Sequence, residues 1–304
     1  MKIILTGGTG FVGKALIPHL VEAGHRVVLL TRHSGKMTWM NKRFVTEAHW
    51  DGKHLGDWAK EIDGADAVIN LAGESIAAKR WAVAHKKHIL DSRVNATKAI
   101  VDAIRQANQK PSVLINASAV GFYGNVENGD VTESSPKGTG FLSDTCDAWE
   151  KEARAAESLG VRVVILRLGV VLGEGGGALS KMIPPFKMFI GGPLGSGRQW
   201  FPWVHREDVA GVINFSLTHL KLSGPVNVTV PDPVNMKQFC TELGKAMHRP
   251  SWAPVPAFVL KLMLGEMSEM LLTGQKAVPK KLGECGYLFH YSSLEEALKG
   301  VGSL

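Results

Sequence analysis

The sequence predicts an α/β protein: a Rossmann-type, doubly wound parallel sheet with a smaller C-terminal α/β lobe. Three observations carry that prediction. Short, continuously apolar runs alternate with helical periodicities from the first residues onward, and runs without polar alternation mark strands covered on both faces. A glycine-rich turn, Gly7-Gly8-Thr9-Gly10-Phe11-Val12-Gly13, joins the first run to the first helix. The alternation weakens after Leu172, where glycine- and proline-rich stretches take over.

Ile3 to Leu5 is a buried strand bounded by Thr6-Gly7. Phe11 to Ala23 is a helix stopped by Gly24, with a kink or a lost hydrogen bond expected at Pro18. Arg26 to Thr31 and Ala67 to Ala72 are further strands. Lys86 to Ala107 has helical spacing through Ile89, Val94, Thr97, Ile100, Val101 and Ile104. Val113 to Ser118 is a strand, Asp147 to Leu159 a helix, and Val161 to Val171 a strand rich in β-branched residues. Later come a helix at Val209 to Leu220, a strand at Pro225 to Val230 and a helix at Met236 to Met247. The amphipathic stretch Phe258 to Leu272 carries Met263, Met267 and Met270; it reads as a packed helix or as a face for a partner or homodimer. The first domain, built on the glycine turn, is placed at 1–172 with contributions from about 205–230, and a smaller lobe at 173–304, including a C-terminal domain at 250–298.

With 45% hydrophobic and 21% charged residues among 304, the chain has the material for a core and is not a disordered protein. Cys146, Cys240 and Cys285 are scattered, without zinc or disulfide spacing, so no metal is expected and the thiols read as reduced. No uncharged apolar run reaches the ~18–20 residues of a membrane span; Ala257 to Leu264 is broken by Lys261. Only Met1 and Lys2 precede the first strand, so no leader is expected and the protein reads as cytoplasmic. The net charge of +7 is dispersed in runs no longer than Lys86-Lys87 or Lys280-Lys281, which argues against nucleic acid and suits an anionic cofactor.

The glycine turn has a defined chemistry. Gly7 allows the tight turn, Gly10 admits the backbone to a pyrophosphate, and Gly13 lets helix and strand pack closely. Thr9, Phe11 and Val12 complete the loop, and the helix N-terminus offers N–H groups and partial positive charge to phosphate. The second strand ends in Thr31-Arg32-His33-Ser34 and has no acid to bind a ribose 2′-hydroxyl. Arg32 can pair with a 2′-phosphate instead, which favours NADP(H) over NAD; the alternative is that Arg32 is a solvated strand-end residue.

At these residues the chain resembles the extended short-chain dehydrogenase/reductases, the group of nucleotide-sugar epimerases and dehydratases. Thr6 to Gly13 matches their phosphate loop, Asn70-Leu71-Ala72-Gly73 their fourth-strand motif, and Trp203 to Ala210 (WVHREDVA) their late FIHVDDVA segment. Asn70 to Ile76, Arg80-Trp81, Asp91-Ser92-Arg93, Ser118 to Gly124 and Gly191 to Gly197 resemble one atypical subgroup in order along the chain. That subgroup is labelled epimerase family protein or cell-division inhibitor SulA-like, is similar to human SDR39-type members, and has a small appended domain matching Pro254 to Leu298. The resemblance implies that Leu71, Ala72 and Gly73 line the adenosine and pyrophosphate side. Arg93 would neutralise phosphates, its alternative being a surface helix charge. Val171 would touch the nicotinamide end and Ser118 would border it.

Active members use a Ser and a Tyr-x-x-x-Lys pair to move a proton. Here the only tyrosines are Tyr123, Tyr287 and Tyr291, none with Lys at that spacing. Aligning the following helix on Glu150 puts Leu142 at the Tyr position and Cys146 at the Lys position, while Ala119 falls at the Ser position. Substitutes are Ser118, Tyr123, Glu74 and Cys146, with His205 either joining them or ordering a helix start. Loops at 74–81, 173–181 and 192–203 would roof the crevice with Trp81, Lys181, Arg198, Gln199, Trp200, Phe201 and Trp203. The aromatics suit a flat, partly apolar substrate with an anionic group, or serve as wedges on the core. Two functions stay open: an NADP(H)-dependent oxidoreductase or epimerase with a non-standard relay, and a non-catalytic NADP(H) sensor or adaptor tied to cell division.

Overall fold

The computed structural model describes residues 1–33 and 43–299; Ser34 lies outside the described residues. The first half alternates as expected: β1 (Lys2–Thr6), α1 (Phe11–Glu22), β2 (Arg26–Thr31), β3 (Val45–His49), β4 (Ala67–Asn70), α2 (Val83–Gln106), β5 (Val113–Ala119), β6 (Val126–Val131), α3 (Phe141–Arg154) and β7 (Arg162–Leu168). The second half contains β8 (Val170–Leu172), α4 (Leu179–Lys187), β9 (Trp200–Phe201), β10 (Trp203–His205), α5 (Arg206–Thr218), β11 (Gly224–Val228), β12 (Val234–Asn235) and α6 (Met236–Ala246). The chain ends with α7 (Ala257–Leu264), α8 (Glu269–Leu272), β13 (Gln275–Ala277), α9 (Lys280–Glu284) and α10 (Leu294–Ala297).

Seven strands form one parallel sheet in the order β11-β7-β5-β4-β1-β2-β3. Apolar side chains leave it on both faces, which is why its strands carry no polar alternation. One face is covered by Leu16, Ile17 and Leu20 of α1 and by Val209, Val212 and Ile213 of α5. The other is covered by Ile100, Val101 and Ile104 of α2, Ala153 of α3 and the paired rings of Trp50 and Trp58. Register aligns Thr6 with Asn70 and Asn70 with Asn116, so three polar side chains end level beneath the carboxyl edge.

Several elements depart from expectation. The edge strand β3 carries Thr46 and Glu47 within a short run, too little pattern to predict. The predicted strand Val161 to Val171 divides at Gly169, where a Cβ would lie 2.4 Å from the Pro202 carbonyl oxygen; β8 then leaves the sheet to pair with β10. Helix α3 begins at Phe141 rather than Asp147, and α1 runs on through Pro18. The stretch Phe258 to Leu272 is not one helix, because α7 stops at Gly265 and a short turn separates it from α8.

The last third is shared between two cores. Leu179, Ile183 and Phe186 of α4 pack with Phe239, Cys240 and Leu243 of α6 and with Trp203. The tail returns to the sheet: Leu282 enters the α5 core, and buried Asp208 accepts the backbone N–H groups of His290 at 2.6 Å and Tyr291 at 2.9 Å. Among the described residues no helix is long and apolar enough to cross a membrane.

Candidate active site

The crevice opens where β1, β4 and β5 end, above a fixed polar floor. Thr6 Oγ1 donates to Asn70 Oδ1 at 2.7 Å, and Asn70 Nδ2 donates to Asn116 Oδ1 at 2.6 Å and Thr97 Oγ1 at 2.9 Å. Trp149 of α3 also donates to Thr97 Oγ1 at 2.9 Å. All five are buried, so every polar atom in this knot needs its partner. The knot ties three strands to α2 and α3 and fixes the backbone that follows each strand.

The glycine turn rises from that floor. Gly7 has φ +68, and a Cβ there would sit 2.5 Å from the Leu71 carbonyl oxygen. Gly13 is closed off as tightly: its Cβ would meet Gly7 O and Gly8 Cα, each at 2.4 Å. At Gly10 only Gly7 O lies near, at 3.1 Å, so the outer side of the loop stays open. Gly10 caps α1 without a side-chain partner, and the first turn of α1 holds no acid. A helix N-terminus left uncapped and facing open space suits an anion.

Arg93 of α2 lies against Gly73, just after β4. A Cβ at Gly73 would lie 3.2 Å from its guanidinium carbon, so Gly73 makes room for the cation. Its Nη1 donates to Ile89 O at 3.0 Å, and the guanidinium lies 5.1 Å from the Trp149 ring centroid. It makes no ion pair among the described residues, and burial lowers its pKa. The Glu74 carboxylate partly offsets that burial, and an anion joining the half-buried guanidinium would offset more of it. Arg32, by contrast, is exposed at the end of β2, beside Thr31, whose hydroxyl accepts the His33 N–H at 3.2 Å.

A second cation, overlooked in the sequence, stands on the other side. Arg206, inside the quoted WVHREDVA segment, lies 5.1 Å from the Phe11 ring centroid and donates from Nη1 to Glu174 O at 2.8 Å. Its buried Nε lies 3.5 Å from Glu207 Oε1 yet has no hydrogen-bond partner among the described residues. The turn Gly173 to Gly177 is laid on Phe11: a Cβ at Gly176 or Gly177 would come within 2.7 or 2.8 Å of that ring. Val171 lies at the start of this turn, and Val12 packs on the α1 core. Leu71 and Ala72 are half-buried beside Gly7, while Thr9 is exposed at the loop tip.

The four substitutes for the missing proton relay part company. Tyr123 is sealed in the core, its hydroxyl donating to Asn227 Oδ1 at 2.6 Å and accepting from Arg167 at 2.9 Å. Burial pushes its pKa up to about 12, so the expectation that it reaches the crevice is corrected. Ser118 is turned inward as well, donating to Glu150 Oε1 at 2.7 Å, and Arg167 holds that carboxylate with two bonds of 2.8 Å. Cys146 is buried next to Ser118 and Ala119; burial and then Glu150 raise its pKa to about 11, so it stays a thiol at neutral pH. Only Glu74 remains at the surface, its N–H on Ser92 Oγ at 3.1 Å and its carboxylate 3.7 Å from His88 Nε2. His205 takes its alternative role: it caps α5, accepting the Glu207 N–H at 3.3 Å, and rests on the Tyr291 ring.

The roofing aromatics are mostly wedges. Trp81 is buried against Phe141 with its N–H on Ile76 O, Phe201 packs on Phe239, and Trp203 is buried in the α4–α6 core. Trp200 is half-exposed and donates to Glu127 O at 3.1 Å.

With this geometry in place, comparison with known proteins gives a family. The model of the NAD dependent epimerase/dehydratase family matches residues 3–229. The chain belongs to that family. A second model, a domain of unknown function named DUF1731, matches residues 255–301, the segment that returns to the sheet. The chain is 44% identical to the epimerase family protein YfhF of Bacillus subtilis over 98% of its own length and 97% of the relative's. It is 41% identical to the chloroplastic SDR39U1 homolog of Arabidopsis thaliana over 99% of this chain and 86% of that one. Among solved structures it is similar to the human epimerase family protein SDR39U1 with NADPH: TM-score 0.89, 33% identity, covering 100% of this chain and 99% of that one. A UDP-galactose 4-epimerase at 18% identity and TM-score 0.74 shares the fold. The Rossmann-type sheet is therefore common to the epimerase/dehydratase relatives. Ala119 at the end of β5 and Leu142 and Cys146 on α3 are features of this chain.

Proposed function

We propose that this protein is an NADP(H)-dependent oxidoreductase. The observation that carries the proposal is the uncapped, acid-free N-terminus of α1 at an open glycine turn, with Arg93 against Gly73 beyond the neighbouring strand β4 and in no ion pair among the described residues. A bound diphosphate would be favoured by both positive groups. Arg206, on the other side, lies over the Phe11 ring of the same turn and adds positive charge near it. Arg32 and the absence of an acid at the end of β2 direct the choice to the 2′-phosphorylated cofactor. The human relative with NADPH supports the same choice.

When bound, NADPH supplies a hydride. The chain's own groups hold its diphosphate at Gly10 to Gly13 and Arg93, keep the floor rigid through Asn70, and exclude water on one side through Phe11 and the Gly173 to Gly177 turn. Titration of the protein's tryptophan fluorescence with NADPH and NADH tests this. Binding of NADPH at least tenfold tighter is expected; equal affinities or a preference for NADH would refute it.

A second reading is favoured by the sealed Tyr123 and the thiol at Cys146: a cytoplasmic NADP(H)-dependent sensor without turnover. Its test is a pulldown with and without NADPH, and an unchanged set of partners would end it.

A further inference from the structure

Among the described residues, Phe189 (φ +63) and His248 (φ +52) are the non-glycine residues with positive φ. That conformation costs an ordinary side chain energy and persists only where its surroundings enforce it. Both residues lie at one place, Phe189 in the loop that leaves α4 and His248 in the loop that leaves α6. Trp252 Nε1 donates to Phe189 O at 3.0 Å, and the Ala253 N–H donates to Gly191 O at 3.1 Å. The Arg249 guanidinium carbon lies 4.5 Å from the Phe189 ring centroid. The two loops are thereby tied into a single tip.

The tip is apolar and stands off the surface. Met188, Phe189, Ile190 and Trp252 are each more than half exposed. In a helix or strand packed on a core, successive side chains point to different sides. Three successive apolar side chains in water therefore mean that the backbone itself projects. The charge around the tip has one sign. The stretches 181–192 and 245–253 contain Lys181, Lys187, Lys245, His248 and Arg249 and no carboxylate. Lys245 is paired with Glu242 of α6 at 2.8 Å and also feels Glu295. Arg249 has a carbonyl partner, His248 O at 3.1 Å, and no ion pair among the described residues. Lys245, His248, Arg249 and Ser251 line an open hollow of about 580 Å³ beside the tip. The Ser251 hydroxyl has no hydrogen-bond partner among the described residues.

We propose that this tip docks the protein on the surface of an anionic membrane. Met188, Phe189, Ile190 and Trp252 enter the boundary between headgroups and acyl chains, where Trp and other apolar side chains are favoured. Lys187, His248 and Arg249 meet lipid phosphates in and around the hollow, and cations near an anionic leaflet each add to the attraction. A protein partner would have to offer a pocket shaped to a projecting tip and acids placed along its rim. A bilayer accepts a convex apolar tip of any shape and supplies the negative charge everywhere around it. The contact is peripheral and requires no spanning helix.

Flotation of the full-length protein with lipid vesicles tests this. Vesicles of phosphatidylcholine with about 30 mol% phosphatidylglycerol, in about 0.1 M salt, are compared with vesicles of phosphatidylcholine alone. Binding to the anionic vesicles is expected to be about tenfold tighter or more. Phe189→Asn puts a polar residue that tolerates positive φ at the tip, and Arg249→Glu reverses the charge beside it. Each should weaken binding by about tenfold or more, while Leu220→Asn, in the exposed turn after α5, leaves it unchanged. Urea unfolding checks that the variants fold; Arg249 is exposed, so its variant keeps the test alive if Phe189→Asn misfolds. No flotation with anionic vesicles, equal flotation with neutral ones, or undiminished binding by folded Phe189→Asn or Arg249→Glu would overturn the proposal. So would a dimer in sedimentation equilibrium that Phe189→Asn dissociates, because the tip would then be a contact between copies of the chain.

Discussion

Replacing Arg93 with Met separates a cofactor-binding cation from a structural one, because the two roles predict opposite results. In the free protein Arg93 has one hydrogen bond, to Ile89 O, and a face on Trp149. Losing them costs about 1 kcal/mol for the bond and ~0.5–1 kcal/mol for the ring contact. The substitution also removes a half-buried charge that Glu74 only partly offsets, a relief of comparable size. Met keeps most of the apolar stem against Trp149. The free variant is therefore expected within about 1 kcal/mol of the parent, or above it. A charge-assisted bond to phosphate contributes ~1.5–3 kcal/mol, so the Kd for NADPH should rise about 10- to 100-fold. The linkage follows directly. At a ligand concentration near 100 times the parent Kd, NADPH should stabilise the parent by about 2.7 kcal/mol, and a variant 30-fold weaker by about 0.9 kcal/mol. Urea unfolding with and without NADPH, beside a fluorescence titration, reads both quantities. A variant that loses more than about 3 kcal/mol without ligand yet binds NADPH normally would show that Arg93 is a packing residue and would refute the reasoning.

Arg32→Asp places an acid where the 2′-phosphate would lie; NADPH affinity should fall by about 30-fold or more while NADH affinity is kept or improved, as competitive titration will show. Glu150→Gln leaves Arg167 buried beside a neutral amide and cuts one end of the Ser118–Glu150–Arg167–Tyr123 chain; a loss of ~3–5 kcal/mol in denaturant unfolding is expected. Asp208→Asn weakens the two backbone bonds that hold the tail, and limited proteolysis should cleave after residue 290 sooner than in the parent. The Cys146 thiol, raised from 9.0 to about 11, contributes stability that is present below pH 9 and lost as pH rises towards 11, because the unfolded chain releases that proton first. Iodoacetamide at pH 8 should therefore modify half-buried Cys285 first and reach Cys146 only on unfolding, which peptide mapping distinguishes.

What was legible in the sequence follows from how local each signal is. The phosphate loop is a contiguous stretch whose glycines answer to neighbours within it, and its strand, turn and helix all stand where the pattern put them. Strand alternation carries a further signal at β5. Leu114, Asn116 and Ser118 share one face of β5, the face toward α2 and α3, where Leu114 enters the core beside Ala153 and Asn116 meets Thr97. Ser118 must therefore point at α3, and Glu150 is the polar group that awaits it. Period two alone would have turned Ser118 away from the crevice. The Arg206 site was legible only in part. Its segment was recognised, but its contact with Phe11 joins positions far apart in the chain through a glycine turn that leaves the sheet at Gly169. Nothing in the local composition around Gly173 says which ring those glycines will cover. Tyr123 misled for the opposite reason. Its neighbours Gly121 and Gly124 resemble an exposed loop, while what buries it is Asn227 of β11 and Arg167 of β7, both supplied by distant strands. The same burial that removes Tyr123 from proton transfer anchors the short β6 and β13 pair through Asn227, which donates to Val131 O and Val278 O. A residue that looks catalytic by type is here part of the seam joining the C-terminal segment to the sheet, so Tyr123→Phe is expected to weaken that seam and leave NADPH affinity unchanged.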